Sequence, residues 1–221
     1  MEVANNLPGL PVFVVILFIV GFAGVMLIVM TSFLKLVVVL HLVKSALGLH
    51  EVPPNMAINA LALLLTLYVM SPVGMDVYQN FKSYNVDIYD LKNPEVATAA
   101  INSIEPLKVF MKKHSSQEEV SFFYNSAKKM WSEKQVENLS EDHFLILIPS
   151  FATSQLKSAF EVGFMIYLPF IIIDLIISNI LLALGMIMVS PIVISLPFKL
   201  LLFVMVDGWS RLLHGLVLSY Q

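Results

Sequence analysis

The chain has 221 residues, of which 58% are apolar and 13% are charged, with a formal net charge of −3 and a mean hydropathy of +0.83. Ordinary soluble domains carry about a quarter charged residues, so this composition predicts a membrane protein. The acidic balance argues against nucleic-acid binding. The absence of cysteine excludes disulfides, thiolate zinc sites, iron–sulfur clusters and cysteine nucleophiles.

The first apolar run begins at Leu10 and continues to Lys44, with Lys35 as the first charged residue inside it. In lipid, a spanning segment satisfies its backbone only as a helix or as part of a closed barrel. The run lacks the strict alternation of a strand, so it predicts one long helix. No cationic segment precedes it and no small-residue cleavage site follows it closely, so it is expected to remain in the mature protein.

A second apolar helix is predicted after a sharp turn. Gly48 is a helix stop, Pro53–Pro54 blocks continuation, and Asn55 is a candidate cap for the next span. That span is expected to end before Ser71–Pro72. The two spans together predict a first hairpin with Lys35 and Lys44 near its turn.

A polar insert separates this hairpin from the next. Of the 29 charged residues (13 basic and 16 acidic), 19 lie between Asp76 and Asp142. This density predicts a water-exposed segment of three short amphipathic helices, too small to be an independent enzyme domain. Their predicted starts are the cap and proline at Asn93–Pro94, the capping box from Ser116 to Glu119, and Ser140.

The second hairpin is the most apolar part of the chain. From Val162 to Phe198 there are 37 residues and one charge, Asp174. Proline removes a backbone donor and restricts the residue before it, so Ser190–Pro191 and Leu196–Pro197 predict breaks in this run. The sequence therefore predicts two apolar helices joined by a tip rich in Met, Ser and Pro.

The sequence thus predicts an all-α fold in three parts. Residues 1–74 form the first hairpin, residues 75–143 the mainly helical insert, and residues 144–221 an amphipathic lead-in with the second hairpin. Short loops rich in lysine stay on the cytoplasmic side of a membrane, whereas long loops are translocated largely regardless of charge. This rule places the hairpin turns in the cytoplasm, with the insert and both termini outside.

Three ionisable residues lie in apolar surroundings, and each requires an explanation. A charge at the position of Asp174 costs on the order of 2.5–3.5 kcal/mol in a bilayer. Asp174 is therefore either part of a proton relay or the partner of a lysine on a neighbouring helix or subunit. Lys199 and Asp207 lie eight residues apart, too far for a helical ion pair. They are expected to find partners elsewhere, either in an oligomer or along a hydrated channel.

The tip of the second hairpin contains Met186 and Met188. Flexible, polarizable methionine side chains can close around cargoes of different shape, although methionines at helical spacing are often core filler. The sequence contains no zinc-protease, nucleophile-elbow or phosphate-binding motif, and it predicts no metal or cofactor. Asp174 and Asp207 remain a weak candidate for a catalytic aspartate pair.

Two stretches resemble the flagellar FliP and injectisome SctR family, the export-gate proteins of type III secretion systems. The first runs from Thr31 to Gly74 and includes ALG and PPN. The second reads LPFIIIDLIISNILLALGM followed by SPIVISLPFKLLLFVMVDGW, from Leu168 to Trp209. The order of these stretches, the polar insert between them and the end at Gln221 resemble the shorter injectisome branch more than the flagellar one.

The resemblance implies a non-enzymatic structural subunit of the bacterial inner membrane, within the secretion-system basal body, with its insert on the periplasmic side. It implies a homopentamer that joins FliQ-like and FliR-like proteins in a ring-like or helical assembly. Unfolded substrate proteins would leave the cytoplasm through this gate. The family's methionine-rich constriction corresponds to Met186, Ile187, Met188 and Val189. The buried charges expected to meet partners across subunit interfaces are Lys35, Asp174, Lys199 and Asp207.

Two alternatives use the same charged residues. A proton-coupled secondary transporter would depend on Asp174 and Lys199. An intramembrane aspartyl hydrolase would need both aspartates at one catalytic centre. The export-gate hypothesis differs from both because it requires a large assembly and no chemistry by this chain.

Overall fold

The computed structural model describes residues 10–49, 51–86, 94–137 and 139–221, and within these ranges it contains helices and no strand. The predicted all-α class is confirmed. The residues ahead of Leu10 and the Asn93 cap lie outside the described ranges. The described helices are α1 (Leu10–Met30), α2 (Phe33–Ala46), α3 (Asn55–Ser83), α4 (Pro94–Ser103), α5 (Glu105–Lys113), α6 (Gln117–Met130), α7 (Glu133–Val136), α8 (Phe144–Ala183), α9 (Pro191–Met205) and α10 (Gly208–Leu218).

Helix α8 is the central element. Its 40 residues extend roughly 60 Å at 1.5 Å per residue, and it contacts α2, α5, α6 and α9. His143 caps its first turn, because the imidazole Nδ1 accepts the backbone N–H of Leu145 at 3.3 Å. The first half of α8 buries Ile146, Leu147 and Phe151. The insert and the first hairpin are therefore both built onto the same helix.

The core lies where α2, α3, α5 and the first half of α8 meet. Four aliphatic side chains of α2 are fully buried, at helical spacing: Leu36, Val39, Leu40 and Val43. Burying one such side chain contributes about 1.5–3 kcal/mol. Elsewhere the chain leaves large apolar side chains exposed, particularly on α1 and the outer halves of α8 and α9: Phe18, Phe164, Leu175, Val193 and Val204.

The single helix predicted from Leu10 to Lys44 is wrong, because the chain bends by 75° between α1 and α2. At the bend the Thr31 hydroxyl donates to the carbonyl of Ile28 at 3.4 Å and accepts the backbone N–H of Phe33 at 3.5 Å. A hydroxyl bonded to the local backbone competes with the helical ladder, which favours a break.

Two predicted proline breaks are also wrong. Pro72 lies inside α3, which continues to Ser83 beyond the predicted end of the span, and Pro197 lies inside α9. An interior proline removes one helical hydrogen bond, but in an apolar medium the remaining backbone groups have no alternative to the helix. The break at Ser190–Pro191 is confirmed, because this proline is the first residue of α9, where its missing N–H costs nothing.

Among the described helices, α3 and α8 are long and apolar enough to cross a membrane. Two bent pairs would each add a span if counted as one: Gly24–Met30 with α2, and α9 with α10, which meet at 61°. Length and composition therefore allow two to four spans. This agrees with the membrane composition of the sequence.

Candidate functional site

The tip of the second hairpin is an exposed turn between α8 and α9. Helix α8 ends in a Schellman motif, in which the N–H of Gly185 bonds the carbonyl of Leu182 at 3.0 Å and the N–H of Met186 bonds that of Leu181 at 2.9 Å. Gly185 adopts a φ of 73°, a left-handed conformation that glycine reaches without steric cost. The local sequence therefore ends the helix and reverses the chain at this point.

The tip presents apolar side chains to its surroundings. Met186 is 43% exposed, Ile187 81% and Met188 100%, whereas Val189 is half-buried. Apolar side chains clustered on a surface in this way mark a place that a partner or a membrane covers. All four residues of the predicted constriction thus lie together at the end of the hairpin.

Asp174 and Lys199 form an ion pair across the second hairpin. Lys199 Nζ lies 2.6 Å from Asp174 Oδ2, and the Ser195 hydroxyl donates to Asp174 Oδ1 at 2.5 Å. Lys199 also donates to the carbonyl of Ala46, at the C-terminal end of α2, at 3.4 Å. A cation at the negative end of a helix is favourable. Lys199 therefore joins the two hairpins.

The Asp174–Lys199 ion pair decides between the partners that the sequence allowed for Asp174. The partner of Asp174 is a lysine on a neighbouring helix of the same chain, so this pair does not require a counterpart on another copy. A signal for it was present: Asp174 and Lys199 lie thirteen and twelve residues from Ile187 at the tip. A hairpin folded at that tip brings the two positions to the same level.

Lys35, the other lysine singled out from the sequence, is buried at the start of α2. Its Nζ donates to the hydroxyl of Ser219 at 2.9 Å and lies 5.0 Å from the centroid of the Tyr220 ring. A cation over an aromatic face is attracted by the ring quadrupole. Lys35 is therefore satisfied by the C-terminal residues of its own chain.

The C-terminal Tyr220 belongs to a buried cluster that sequence reasoning missed. Its hydroxyl donates to Gln155 Oε1 at 2.6 Å, and Gln155 Nε2 donates to the carbonyl of His114 at 2.9 Å. The ring centroid of His114 lies 4.7 Å from that of Phe110 and 5.1 Å from that of Tyr220, and the Phe110 and Tyr220 rings also stack, at 5.9 Å. This cluster attaches the insert and the C-terminus to α8.

The surroundings of His114 lower the pKa of its imidazole. Its pKa is lowered from the ordinary value, mainly because burial disfavours the imidazolium form, and further because Lys113 and Lys35 lie nearby. The aromatic and cationic neighbours therefore keep this histidine neutral over a wider pH range than a solvent-exposed one.

Asp207 differs from the other predicted charges because it is exposed. It lies in the bend between α9 and α10 with a φ of 54°, and its side chain makes no capping hydrogen bond. Asp207 is eight residues beyond Lys199, roughly 12 Å along a helix, and Asp174 is occupied by that lysine. The structure therefore does not assemble the aspartate pair of the hydrolase hypothesis. In the described ranges no group of three or more metal-ligating side chains is found.

Comparison with known families matches residues 16–216 of the chain to the FliP family. The chain belongs to the FliP family. It is 50% identical over 190 residues to "Yop proteins translocation protein R" of Yersinia pestis, covering 86% of this chain and 87% of that protein. It is 43% identical over 195 residues to "Harpin secretion protein HrcR" of Erwinia amylovora, covering 88% and 89%.

A third relative of this FliP-family chain is matched over its whole length. "Virulence protein YscR" of Salmonella typhimurium strain LT2 is 43% identical over 217 residues, which cover 98% of this chain and 100% of the relative. The prediction of the injectisome-type branch is confirmed by these relatives. The match extends across the polar insert as well as both hairpins.

Proposed function

We propose that this chain lines the narrowest part of a protein-export channel, with the tip of its second hairpin as the constriction. As a FliP-family protein it is a structural subunit of the type III secretion export apparatus. The observation that carries the proposal is the exposure of Met186, Ile187 and Met188 on a defined turn. Unbranched methionine side chains adapt to varied shapes, which suits a seal around unfolded chains.

The proposed assembly is a homopentamer that also contains the FliQ-like and FliR-like proteins. The exposed apolar faces of α1, α8 and α9 support it, because contiguous apolar surface on an isolated chain marks contact with protein or lipid. In the proposed gate Lys35, Asp174 and Lys199 support the hairpins that form subunit interfaces, and Asp207 is available to a neighbour. The proposed role is non-enzymatic.

The proposed location is the bacterial inner membrane, within the basal body, with the insert on the periplasmic side. The apolar helices and the family fit an inner-membrane export apparatus. The orientation of the insert rests on Lys35 and Lys44, the lysines assigned to the short first turn, since positive residues are retained in the cytoplasm.

The constriction is tested by Met186→Ala combined with Met188→Ala. Shortening both side chains widens the tip and removes no fully buried side chain, so the complex assembles normally while the resting membrane becomes leakier to ions. The measurement is single-channel or vesicle conductance together with the size of the purified complex. The matched control is Met56→Ala with Met75→Ala, which removes two exposed methionines from α3. Unchanged conductance in the tip variant removes the seal from the proposal.

The secondary-transporter alternative has no observation in its favour, because the Asp174–Lys199 pair joins the hairpins and has a structural role. Asp174→Asn separates the two hypotheses. The export-gate proposal expects impaired assembly from this variant. Normal assembly with complete loss of proton-coupled transport would favour the transporter.

A further inference from the structure

The end of α10 is attached to the folded core by an aromatic side chain. Tyr220, two residues beyond α10, is 9% exposed, and its hydroxyl donates to Gln155 Oε1 of α8 at 2.6 Å. An apolar cavity of about 490 Å³ lies between α10 and α8, so the two helices do not pack closely along that stretch. At its other end α10 begins after the 61° bend at Asp207. Helix α10 is therefore attached at one end and bent away from α9 at the other.

The site that receives Tyr220 contains cations and no paired carboxylate. Lys35 Nζ lies 5.0 Å from the centroid of the Tyr220 ring, and the centroid of the His114 ring lies 5.1 Å from it. Lys113 directly precedes His114 at the end of α5. In the described part of the chain, no ion pair joins a carboxylate to any of these three side chains. A positive charge added at His114 therefore meets two cations without a counter-charge, and Lys35 already occupies a face of the ring that attracts cations.

The groups around the His114 ring oppose its protonation. The charged or titratable side chains that face it are Lys113 on its own helix, Lys35 on α2 and Tyr220 beyond α10, and α8 presents the neutral Gln155. No charged side chain of α3, α4 or α8, which also pack on α5, contributes to the lowered pKa of His114. By linkage, a group that resists protonation in one state favours, once protonated, a state in which its neighbours have moved away.

We propose that Tyr220 is a pH-controlled latch: protonation of His114 releases residues 219–221 from α8 and the insert, and α10 then moves about the bend at Asp207 while the core stays folded. At neutral pH the uncharged imidazole lets Tyr220 stay beside Lys35, and the latch is closed.

Tyr220 moves rather than His114 because the histidine backbone is tied to α8 on both sides of the turn. Its carbonyl accepts from Gln155 Nε2 at 2.9 Å, and the N–H of Ser116 donates to Ser154 Oγ at 2.9 Å. Tyr220 lies beyond the last residue of α10, so its departure breaks no helical hydrogen bond within α5 or α8.

The test is a distance measurement by electron paramagnetic resonance on the full chain purified in detergent. Spin labels at Asn125→Cys on α6 and at Gln221→Cys report how far residues 219–221 lie from the insert, since both positions are exposed and the chain has no other cysteine. The expected result is one short distance at about pH 7.5 and a second, longer and broader one at about pH 5. The ratio of released to latched chains rises by up to about tenfold per pH unit below the ordinary histidine pKa of about 6.5, because one proton is taken up on release.

Two histidine variants and one tyrosine variant separate the latch from a general effect of acid. His114→Gln keeps the short distance at both pH values. His214→Gln is the matched control, because it removes an exposed histidine from α10 itself and leaves the response unchanged. Tyr220→Phe deletes the hydrogen bond to Gln155 but keeps the ring, so it raises the released fraction at neutral pH about tenfold and preserves the response to acid.

Three outcomes overturn the proposal. The first is a distance distribution that is the same at both pH values, which would mean that His114 gains its proton without displacing Tyr220. The second is a lengthening that persists in His114→Gln. The third is a loss of helical circular dichroism at the pH where the distance lengthens, which would mean that the whole fold opens. The first and third need no histidine variant, so they decide even if His114→Gln fails to fold. None of these outcomes tests the seal at the hairpin tip, so this proposal and the proposed channel function fail independently.

Discussion

The two hairpin turns follow the same tripeptide, Ala-Leu-Gly, and have the same local geometry, but the leucine of the first is buried and that of the second is exposed. Gly48 and Gly185 have φ values of 75° and 73°. The N–H groups of Gly48 and Leu49 bond to Ser45 and Lys44 at 3.0 and 3.2 Å, which is the Schellman pattern again. Local sequence therefore specifies both turns in the same way.

Tertiary contacts account for the difference. In the first turn Leu47 is fully buried, Lys44 donates to Asn55 Oδ1 at 2.8 Å, and Lys199 reaches the carbonyl of Ala46. In the second turn the equivalent Leu184 is 67% exposed. The comparison teaches that the helix end at the first turn packs into the folded body, whereas the helix end at the second turn stays exposed.

The sharpest test of this difference is the paired substitution Leu47→Ala and Leu184→Ala. The first leaves a cavity in a packed interior and lowers the free energy of unfolding by about 3 kcal/mol. The second removes an exposed side chain and leaves the stability of the isolated chain unchanged. Thermal unfolding of the two purified variants in the same detergent measures the difference, and equal losses would contradict it.

A loss of comparable or slightly smaller size is expected from Lys199→Met, which takes away the residue that holds the first turn against the second hairpin. Breaking a buried pair costs about 3–5 kcal/mol, and the one-third exposure of Asp174 reduces this to roughly 2–3 kcal/mol. Adding Asp174→Asn recovers part of the loss in the unfolding midpoint. Lys157→Met, in an exposed pair with Glu118, is the control and changes nothing measurable.

Gly48→Ala and Gly185→Ala should each cause an intermediate loss of stability, and the loss should be the same at both turns. Neither glycine has an atom within 4 Å of an added Cβ, so the cost is backbone strain alone. A left-handed alanine costs on the order of 1 kcal/mol. The two variants are therefore expected to lose equal stability in the same unfolding experiment. A clear inequality would show that tertiary contacts already shape one of the turns.

The smallest effect concerns pH. The unfolded chain gains a proton at His114 below the ordinary pKa of about 6.5, and the folded chain resists it because its pKa is lowered. Stability is thus fully present above this pH and is lost as pH falls through the folded-state pKa. The midpoint temperature of thermal unfolding should therefore fall when the pH is lowered from about 7 to about 5. The variant His114→Gln should show a smaller fall. The second turn, residues 184–190, contains no titratable side chain. Its local structure should therefore not change over this pH range.

Much of the local structure could be predicted from the sequence. Gly48 ends α2, the Ser116 hydroxyl accepts the N–H of Glu119 at 3.3 Å at the start of α6, and Pro191 begins α9. The breaks predicted at Pro72 and Pro197 are wrong, because both prolines lie inside helices. Proline removes one hydrogen bond wherever it stands, and only the surroundings decide whether a helix continues past it.

The amino-acid sequence by itself determined the helical class, the apolar character, the ends of several helices and the family, because these depend on composition and on residues close along the chain. Only the tertiary structure decided that Lys199 joins Asp174 to α2, that Tyr220 contacts both His114 and Gln155, and that Leu47 is buried while the equivalent Leu184 is exposed. These outcomes depend on contacts between residues far apart in the chain, and no local preference specifies which of them form.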